Sequence, residues 1–172
     1  MAVGPRSWYL AVVVVVAIAA GCSVSRVDAL QIPKGQSAEV CTPSNGQGQA
    51  TLGIDFLTNT APDEVRVLRV ELVEAENLRV GRWALEDTEL PGGQNGAALG
   101  WATVSGNWGH DPIPPEETVH LVLGLQVEDT AAVSLASAQA AKVAYRLPDG
   151  SEGEATGAFA VEVSPNPDVP CF

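Results

Sequence analysis

The sequence is poor in basic residues, histidine and methionine. Of its 172 residues, 9 are Lys or Arg and 21 are Asp or Glu, which gives a formal net charge of -12. Because an acidic chain repels the phosphates that dominate nucleic-acid binding, we expect no nucleic-acid partner. There are 2 His and 1 Met. A transition-metal carrier that uses His110, Asp111 and His120 is an alternative, but we expect no metal site because the two histidines are not closely spaced.

The motifs of common enzyme classes are also missing. The sequence contains no G-x-S-x-G, no S-x-x-K, no H-E-x-x-H and no Gly-rich phosphate loop before a lysine. Its acids occur in small groups without the spacing of a calcium loop. We therefore expect neither an enzyme nor a cofactor, although a carboxylate pair that hydrolyses glycosides depends on geometry that the sequence does not reveal.

The apolar run at residues 8–20 is too short to span a membrane, since a transmembrane helix needs roughly 20 such residues. It follows a single charged residue, Arg6. A charged start and a short apolar stretch are typical of a secretory signal. We therefore predict a signal peptide over residues 1–21.

The apolar run ends in Ala19, Ala20, Gly21 and Cys22. Small residues before a cysteine resemble the lipobox of bacterial lipoproteins, and this resemblance covers only the leader. It implies cleavage before Cys22 and a diacylglycerol on its sulfur. The protein would then be lipid-anchored on the outer face of the bacterial cell membrane. Cleavage without lipidation and an uncleaved anchor are the alternatives.

The chain has 3 cysteines, an odd number for an exported protein. If lipid occupies Cys22, then Cys41 and Cys171 remain as a pair, 130 positions apart. An oxidising compartment favours their disulfide, which could stabilise the fold by roughly 5 kcal/mol. The alternative is two unrelated thiols. A redox role is not expected, because no C-x-x-C occurs.

Alternation with period 2 dominates the rest of the chain and predicts strands. The clearest strand covers 119–127, and others are predicted at 52–56, 65–72, 78–80, 143–147 and 159–163. In the strand at 52–56, we expect Leu52, Ile54 and Phe56 to share one face. A parity change near Val67 predicts a bulge, and residues 148–151 predict a hairpin turn. The fold class is therefore an all-β, immunoglobulin-like antiparallel β-sandwich of about seven strands. We assign the sandwich to residues 37–172 and a flexible tether to 22–36.

Three local expectations follow from this assignment. Residues 131–142 are rich in alanine and are the best helix candidate, or else a loop that crosses between sheets. Tyr145 resembles the tyrosine corner of immunoglobulin-like domains. If the first strand (36–41) runs parallel to the last (158–164), Cys41 and Cys171 reach the same end of the sandwich.

The segment 86–118 is rich in Gly and Pro and is long for a loop in a compact domain, which is typical of a functional region. It contains Trp101, Trp108 and His110, and Trp83 lies just before it. Exposed tryptophans bind protein partners or stack on sugars, whereas inward-facing ones would cover the open end of the core. We expect an envelope protein as the partner of this loop, with a cell-wall glycan as the alternative.

Overall fold

The computed structural model describes residues 28–32, 39–86, 98–99, 112–157, 159–166 and 168–171. Within these residues the secondary structure is entirely strand and turn, without a helix. Eight of the strands have five residues or more, close to the predicted seven. The strands are β1 (Leu30–Gln31), β2 (Glu39–Pro43), β3 (Gln49–Asn59), β4 (Arg66–Val73), β5 (Leu78–Glu86), β6 (Ala98–Leu99), β7 (Thr118–Val127), β8 (Ala136–Ala138), β9 (Ala140–Arg146), β10 (Glu152–Thr156) and β11 (Ala160–Ser164).

One layer of the molecule is a sheet in the order β1-β3-β7-β5, with β6 also paired to β3. All its neighbouring strands are antiparallel. The predicted strand at 119–127 is confirmed as β7 and lies between β3 and β5. The predicted strand at 78–80 is only the start of β5, which continues to Glu86.

The other layer contains the sheets β10-β9-β4 and β2-β11-β8. A backbone hydrogen bond from Gln139 to Val73 and an isolated bridge between Glu76 and Ser137 connect them. The predicted turn at 148–151 is confirmed, since it joins β9 to β10. The condition assumed for the cysteine pairing, that the first long strand runs parallel to the last, also holds, because β2 pairs parallel with β11.

The two layers enclose one apolar core, so the molecule is a β-sandwich. The core consists mainly of every second residue of the long strands, as expected for sheets that bury one face. Its fully shielded large side chains include Leu52, Leu57, Leu121, Leu123, Leu125, Val127, Val143 and Val161.

The sheet that contains β7 is also shielded on its other face. Ala84 and Val122 lie directly opposite each other on neighbouring strands, away from the core cluster, yet both are 0% exposed. Burial of both faces explains why β7 has three consecutive apolar residues, 121–123, where a half-exposed strand would alternate with polar ones.

Register shifts at three places in the described strands, one of them between Val80 and Arg82 of β5, change which face the side chains occupy. The predicted bulge near Val67 is confirmed by a register shift between Val67 and Arg69. A second shift, between Gly53 and Asp55, was not predicted. The extra residue reverses the alternation, so Phe56 lies beside His120 and does not share the core face with Leu52. The expectation that these two positions of 52–56 share a face was wrong.

Two sequence expectations need correction. The helix candidate at 131–142 instead contributes β8 and the start of β9. The buried Ala136, Ala138 and Ala141 pack in the core, and this tertiary packing overrides the helix propensity of alanine. In the predicted tether, residues 28–32 are part of the folded domain, because Leu30 pairs with Asn59 and is 2% exposed.

No helix in the described part of the chain has the length and apolar character needed to cross a membrane.

Candidate binding cleft

The structure brings together the two cysteines that the sequence paired. Cys41 and Cys171 form a disulfide with a Cα–Cα distance of 5.5 Å and a sequence separation of 130. Cys41 lies in β2, and Cys171 follows the end of β11. Because these two strands are parallel, the covalent link joins the chain ends at one end of the sandwich, as the topology argument predicted.

Trp83 does not lie in a loop. It sits in β5 opposite Leu123, is partly buried and packs against the core. This placement corresponds to the alternative of an inward-facing ring, and Trp83 is therefore part of a strand and not of the expected binding loop. The other predicted site residues, Cys22, Trp101, Trp108 and His110, lie outside the described residues.

His120 is half-buried on the face of β7 that points away from the core. Its ring packs on Phe56, with the ring centroids 4.4 Å apart and the planes inclined at 54°. Among the described residues, no group of three or more His, Cys, Asp or Glu side chains is placed to hold a metal ion.

The candidate site is a cleft of about 520 Å³ between β1 and β10, at one edge of the sandwich where the two layers meet. We call it the edge cleft. Its lining consists of Asp28, Leu30, Gln31, Ile32, Glu154, Ala155 and Thr156. The set combines two carboxylates and two neutral polar side chains with three apolar ones, and it contains no base and no aromatic ring.

The backbone of β10 has one unpaired edge along this cleft. Leu147 donates its N–H to the carbonyl of Ser151, and Gly157 donates to Ala141. These two bonds identify the hydrogen-bonded pairs of the β9–β10 ladder, which recur at every second residue. In between, the backbone N–H and C=O groups of Glu152, Glu154 and Thr156 point away from β9. Among the described residues, no strand pairs with that edge.

On the opposite wall of the cleft, β1 also has backbone groups that point away from its neighbouring strand. Its pairing with β3 uses the carbonyl of Ala29, which accepts from the N–H of Thr60 at 2.8 Å. By the same alternation, the backbone groups of Leu30 point away from β3 and towards β10. Within the described residues no backbone hydrogen bond joins β1 to β10. The edge cleft is thus bounded by two strand edges that are close together but unpaired.

Polar contacts hold β1 in place. The hydroxyl of Tyr145 accepts a hydrogen bond from the N–H of Ala29 at 3.1 Å. Thr60 donates its hydroxyl to the carbonyl of Asp28 at 3.0 Å. Tyr145 lies near the end of β9, and its hydroxyl bonds to the backbone of Ala29 in the other layer. In a tyrosine corner the hydroxyl bonds to backbone a few residues upstream, so the role of Tyr145 differs from the expected one. These contacts make the β1 wall of the cleft a fixed one.

A buried asparagine organises the loops next to β1. Asn59 is 0% exposed, and its side-chain amide donates to the carbonyls of Asp63 at 2.8 Å and Ile113 at 2.9 Å. Its side-chain oxygen accepts from the N–H of Ala61 at 2.9 Å. Sequence analysis did not identify Asn59, because nothing in the local pattern distinguishes a buried asparagine with several hydrogen bonds from an exposed one in a loop.

Ion pairs cover the outer face of β10. Arg146 contacts Glu152 at 2.6 Å, and Lys142 contacts both Glu154 at 3.5 Å and Glu71 at 3.7 Å. All these groups are substantially exposed, so each pair contributes little to stability. Their arrangement determines the charge along the edge, because the acids lie on the edge strand β10 and the bases lie on the next strand, β9. A strand that approaches from outside meets the acids first.

Two carboxyl groups have shifted pKa values. Burial, and next the nearby charge of Glu39, raise the pKa of Glu162 above its usual value of 4.5. Hydrogen bonds from the hydroxyl and the N–H of Ser151, at 2.6 and 2.8 Å, lower the pKa of Asp149 in the β9–β10 turn. Neither group lines the edge cleft.

A scan against protein-family models and a search of curated proteins found no match for this chain. Its function is therefore inferred from the leader sequence and from the geometry of the domain.

Proposed function

We propose that the chain is a lipid-anchored extracytoplasmic β-sandwich of the bacterial cell envelope that binds a protein partner at the edge cleft. The observation that carries the proposal is a pair of strand edges, on β1 and β10, that no other described strand pairs with and that flank a cleft of about 520 Å³. Unpaired edges are where extended segments of other proteins add to a sheet. The proposed contact therefore differs from the sequence expectation, which assigned the partner to the loop 86–118.

The anchor part of the proposal rests on Cys22 and the small residues before it. With residues 28–32 packed into the domain, few residues separate Cys22 from Asp28. Six peptide steps reach at most about 20 Å. The edge cleft would therefore lie close to the outer face of the membrane, within reach of segments that emerge from membrane proteins.

The cleft lining supports a protein partner over a glycan. Sugar rings are commonly held by exposed aromatic faces, and none of the described residues that line the edge cleft is aromatic. Backbone donors and acceptors in a row suit an extended peptide, because a peptide repeats its own groups at the same spacing. A glycan-binding role would depend on Trp101 and Trp108.

We also infer an immunoglobulin-like topology for the sandwich. The order β1-β3-β7-β5 corresponds to the A-B-E-D sheet of such domains, and β4-β9-β10 corresponds to C-F-G. The seven strands occur in the same sequence order as the letters. The disulfide does not follow that family, since it joins β2 to the chain after β11 instead of linking the two sheets.

In-cell crosslinking of the full-length chain tests the proposal. An affinity-tagged copy in its native host, treated with a general protein crosslinker, should give one dominant protein adduct. A Cys22→Ala variant tests the anchor, because it should leave the membrane fraction and lose most of that adduct. Absence of any specific protein adduct from the anchored chain would contradict the proposed function.

A further inference from the structure

We propose that the partner segment at the edge cleft is an extended, basic strand that pairs with the unpaired edge of β10. This inference rests on the proposed function and specifies the chemistry of the partner. It follows from the backbone register of β10 and from the charges that an incoming strand would meet.

The backbone register sets where pairing occurs. The outward groups of Glu152, Glu154 and Thr156 recur at every second residue, the spacing at which a neighbouring strand presents its own N–H and C=O groups. Two of these three residues flank the cleft directly. A strand paired here would extend the β10-β9-β4 sheet by one strand and fill the gap towards β1.

The charges favour a basic segment. Glu154 and Asp28 are the charged residues of the cleft lining, and no Lys or Arg lines the cleft among the residues that the structure describes. Glu152 continues the acidic row along the edge strand, and Glu152 and Glu154 each contact one base of β9, Arg146 and Lys142 respectively. Opposite charges directly across a strand pair are stabilising, and like charges are destabilising. Lys or Arg at alternate positions of a partner strand would therefore face acids.

The same charges argue against a second copy of this chain. Two β10 edges brought together would set the acids of one copy against those of the other. Charged edge strands are a common protection against such self-pairing. Pairing of two copies along this edge is therefore disfavoured, whereas pairing with a strand of opposite charge is favoured.

Site-specific photocrosslinking in the host tests this inference. A photoreactive amino acid replaces Thr156 in the full-length chain, and a matched copy carries it at Val133, which is 90% exposed in the loop after β7. We expect an adduct from position 156 and little from 133. The crosslinked partner peptide, read by mass spectrometry, should have Lys or Arg at alternate positions. An adduct with a glycan, with a second copy or with an acidic segment would overturn the inference.

A pair of substitutions at the same residue tests the backbone contact. Thr156→Pro removes an N–H that β9 does not use, so the sheet should keep its stability. Capture of the partner should fall about two- to tenfold, the range expected for one lost hydrogen bond. Thr156→Val keeps the N–H, so the difference in capture between the two variants isolates the lost backbone hydrogen bond. Equal capture by both variants, with thermal unfolding unchanged, would refute strand pairing at this position.

The two proposals fail differently. If the general crosslinker gives a protein adduct but position 156 does not, the chain binds a protein elsewhere and the inference is wrong. If neither experiment gives a protein adduct, the proposed function itself is wrong.

Asp28→Asn tests the charge argument separately, because it keeps the backbone bond to Thr60 and should weaken capture, most strongly at low salt.

Discussion

The hydroxyl of Tyr145 accepts a hydrogen bond from the backbone N–H of Ala29 at 3.1 Å, although the two residues are 116 positions apart. Tyr145 belongs to β9 in one layer, and Ala29 immediately precedes β1 in the other. Both are buried, at 2% and 0% exposure. This bond therefore fixes the first strand of the domain to the opposite sheet and holds one wall of the edge cleft.

We expect Tyr145→Phe to destabilise the domain by about 1–3 kcal/mol, because the buried N–H of Ala29 loses its partner. The free energy of unfolding in denaturant measures this. Thr118→Val is a matched control, since it removes an exposed hydroxyl contact to Thr58 and should change stability by at most about 0.5 kcal/mol. Equal effects of the two variants would contradict an anchoring role for Tyr145.

Gly153 lies opposite Tyr145 in the β9–β10 ladder, beneath its ring. A Cβ at this position would lie 2.8 Å from Cε2 of Tyr145 and closer still to Cζ and Oη. Because the ring is buried and hydrogen-bonded, Gly153→Ala should destabilise by about 1–3 kcal/mol. Gly46→Ala, where a Cβ meets nothing within 4 Å, should be nearly neutral. Thermal unfolding compares the two, and a neutral Gly153→Ala would show that the ring moves freely.

The Cys41–Cys171 disulfide closes a loop of 130 residues in sequence separation. We expect its removal in a Cys41→Ala, Cys171→Ala double variant to lower the free energy of unfolding by about 2–5 kcal/mol, because the unfolded chain regains freedom. A Cys22→Ala background leaves one pair of cysteines for titration of free thiols. Thiols that react in the folded, non-reduced protein, or unchanged stability in the double variant, would contradict this account.

Glu162 makes stability depend on pH. Burial and the neighbouring Glu39 raise its pKa in the folded protein above the usual 4.5, so the folded state binds the proton more tightly than the unfolded chain does. Stability should therefore fall as pH rises from about 4.5 through the folded pKa. Glu162→Gln should remove this contribution to the pH dependence of the free energy of unfolding, and the variant should be more stable than the parent at neutral pH. The difference between the two unfolding curves across pH isolates the effect, and parallel curves would refute it.

Much of the fold could be predicted from residues that are close in sequence. Alternation identified β7, and the turn residues at 148–151 identified the hairpin. The parity change at Val67 located a bulge. The pairing of Cys41 with Cys171 added the one long-range constraint, and it is consistent with the parallel first and last strands that the sequence analysis assumed. These features depend on local conformation or on covalent chemistry.

The remaining features depend on contacts between distant segments. Alanine at 136, 138 and 141 has no strand preference of its own, and its place in β8 and β9 follows from core packing. The bulge after Gly53 has no local signal, so the outward position of Phe56 could not be predicted. The edge cleft was missed because it arises where residues 28–32 meet 154–156, and an unpaired strand edge leaves no mark on the sequence.

Amide hydrogen exchange along β10 tests the central claim most directly, namely that this strand has an edge free to accept a partner. In the isolated protein, the N–H groups of Glu154 and Thr156 should exchange rapidly, whereas those of Gly153 and Ala155, which face β9, should be protected. Binding of the captured partner should then slow exchange at 154 and 156. Strong protection at 154 and 156 in the isolated protein would mean that the edge is already paired, and it would contradict the account.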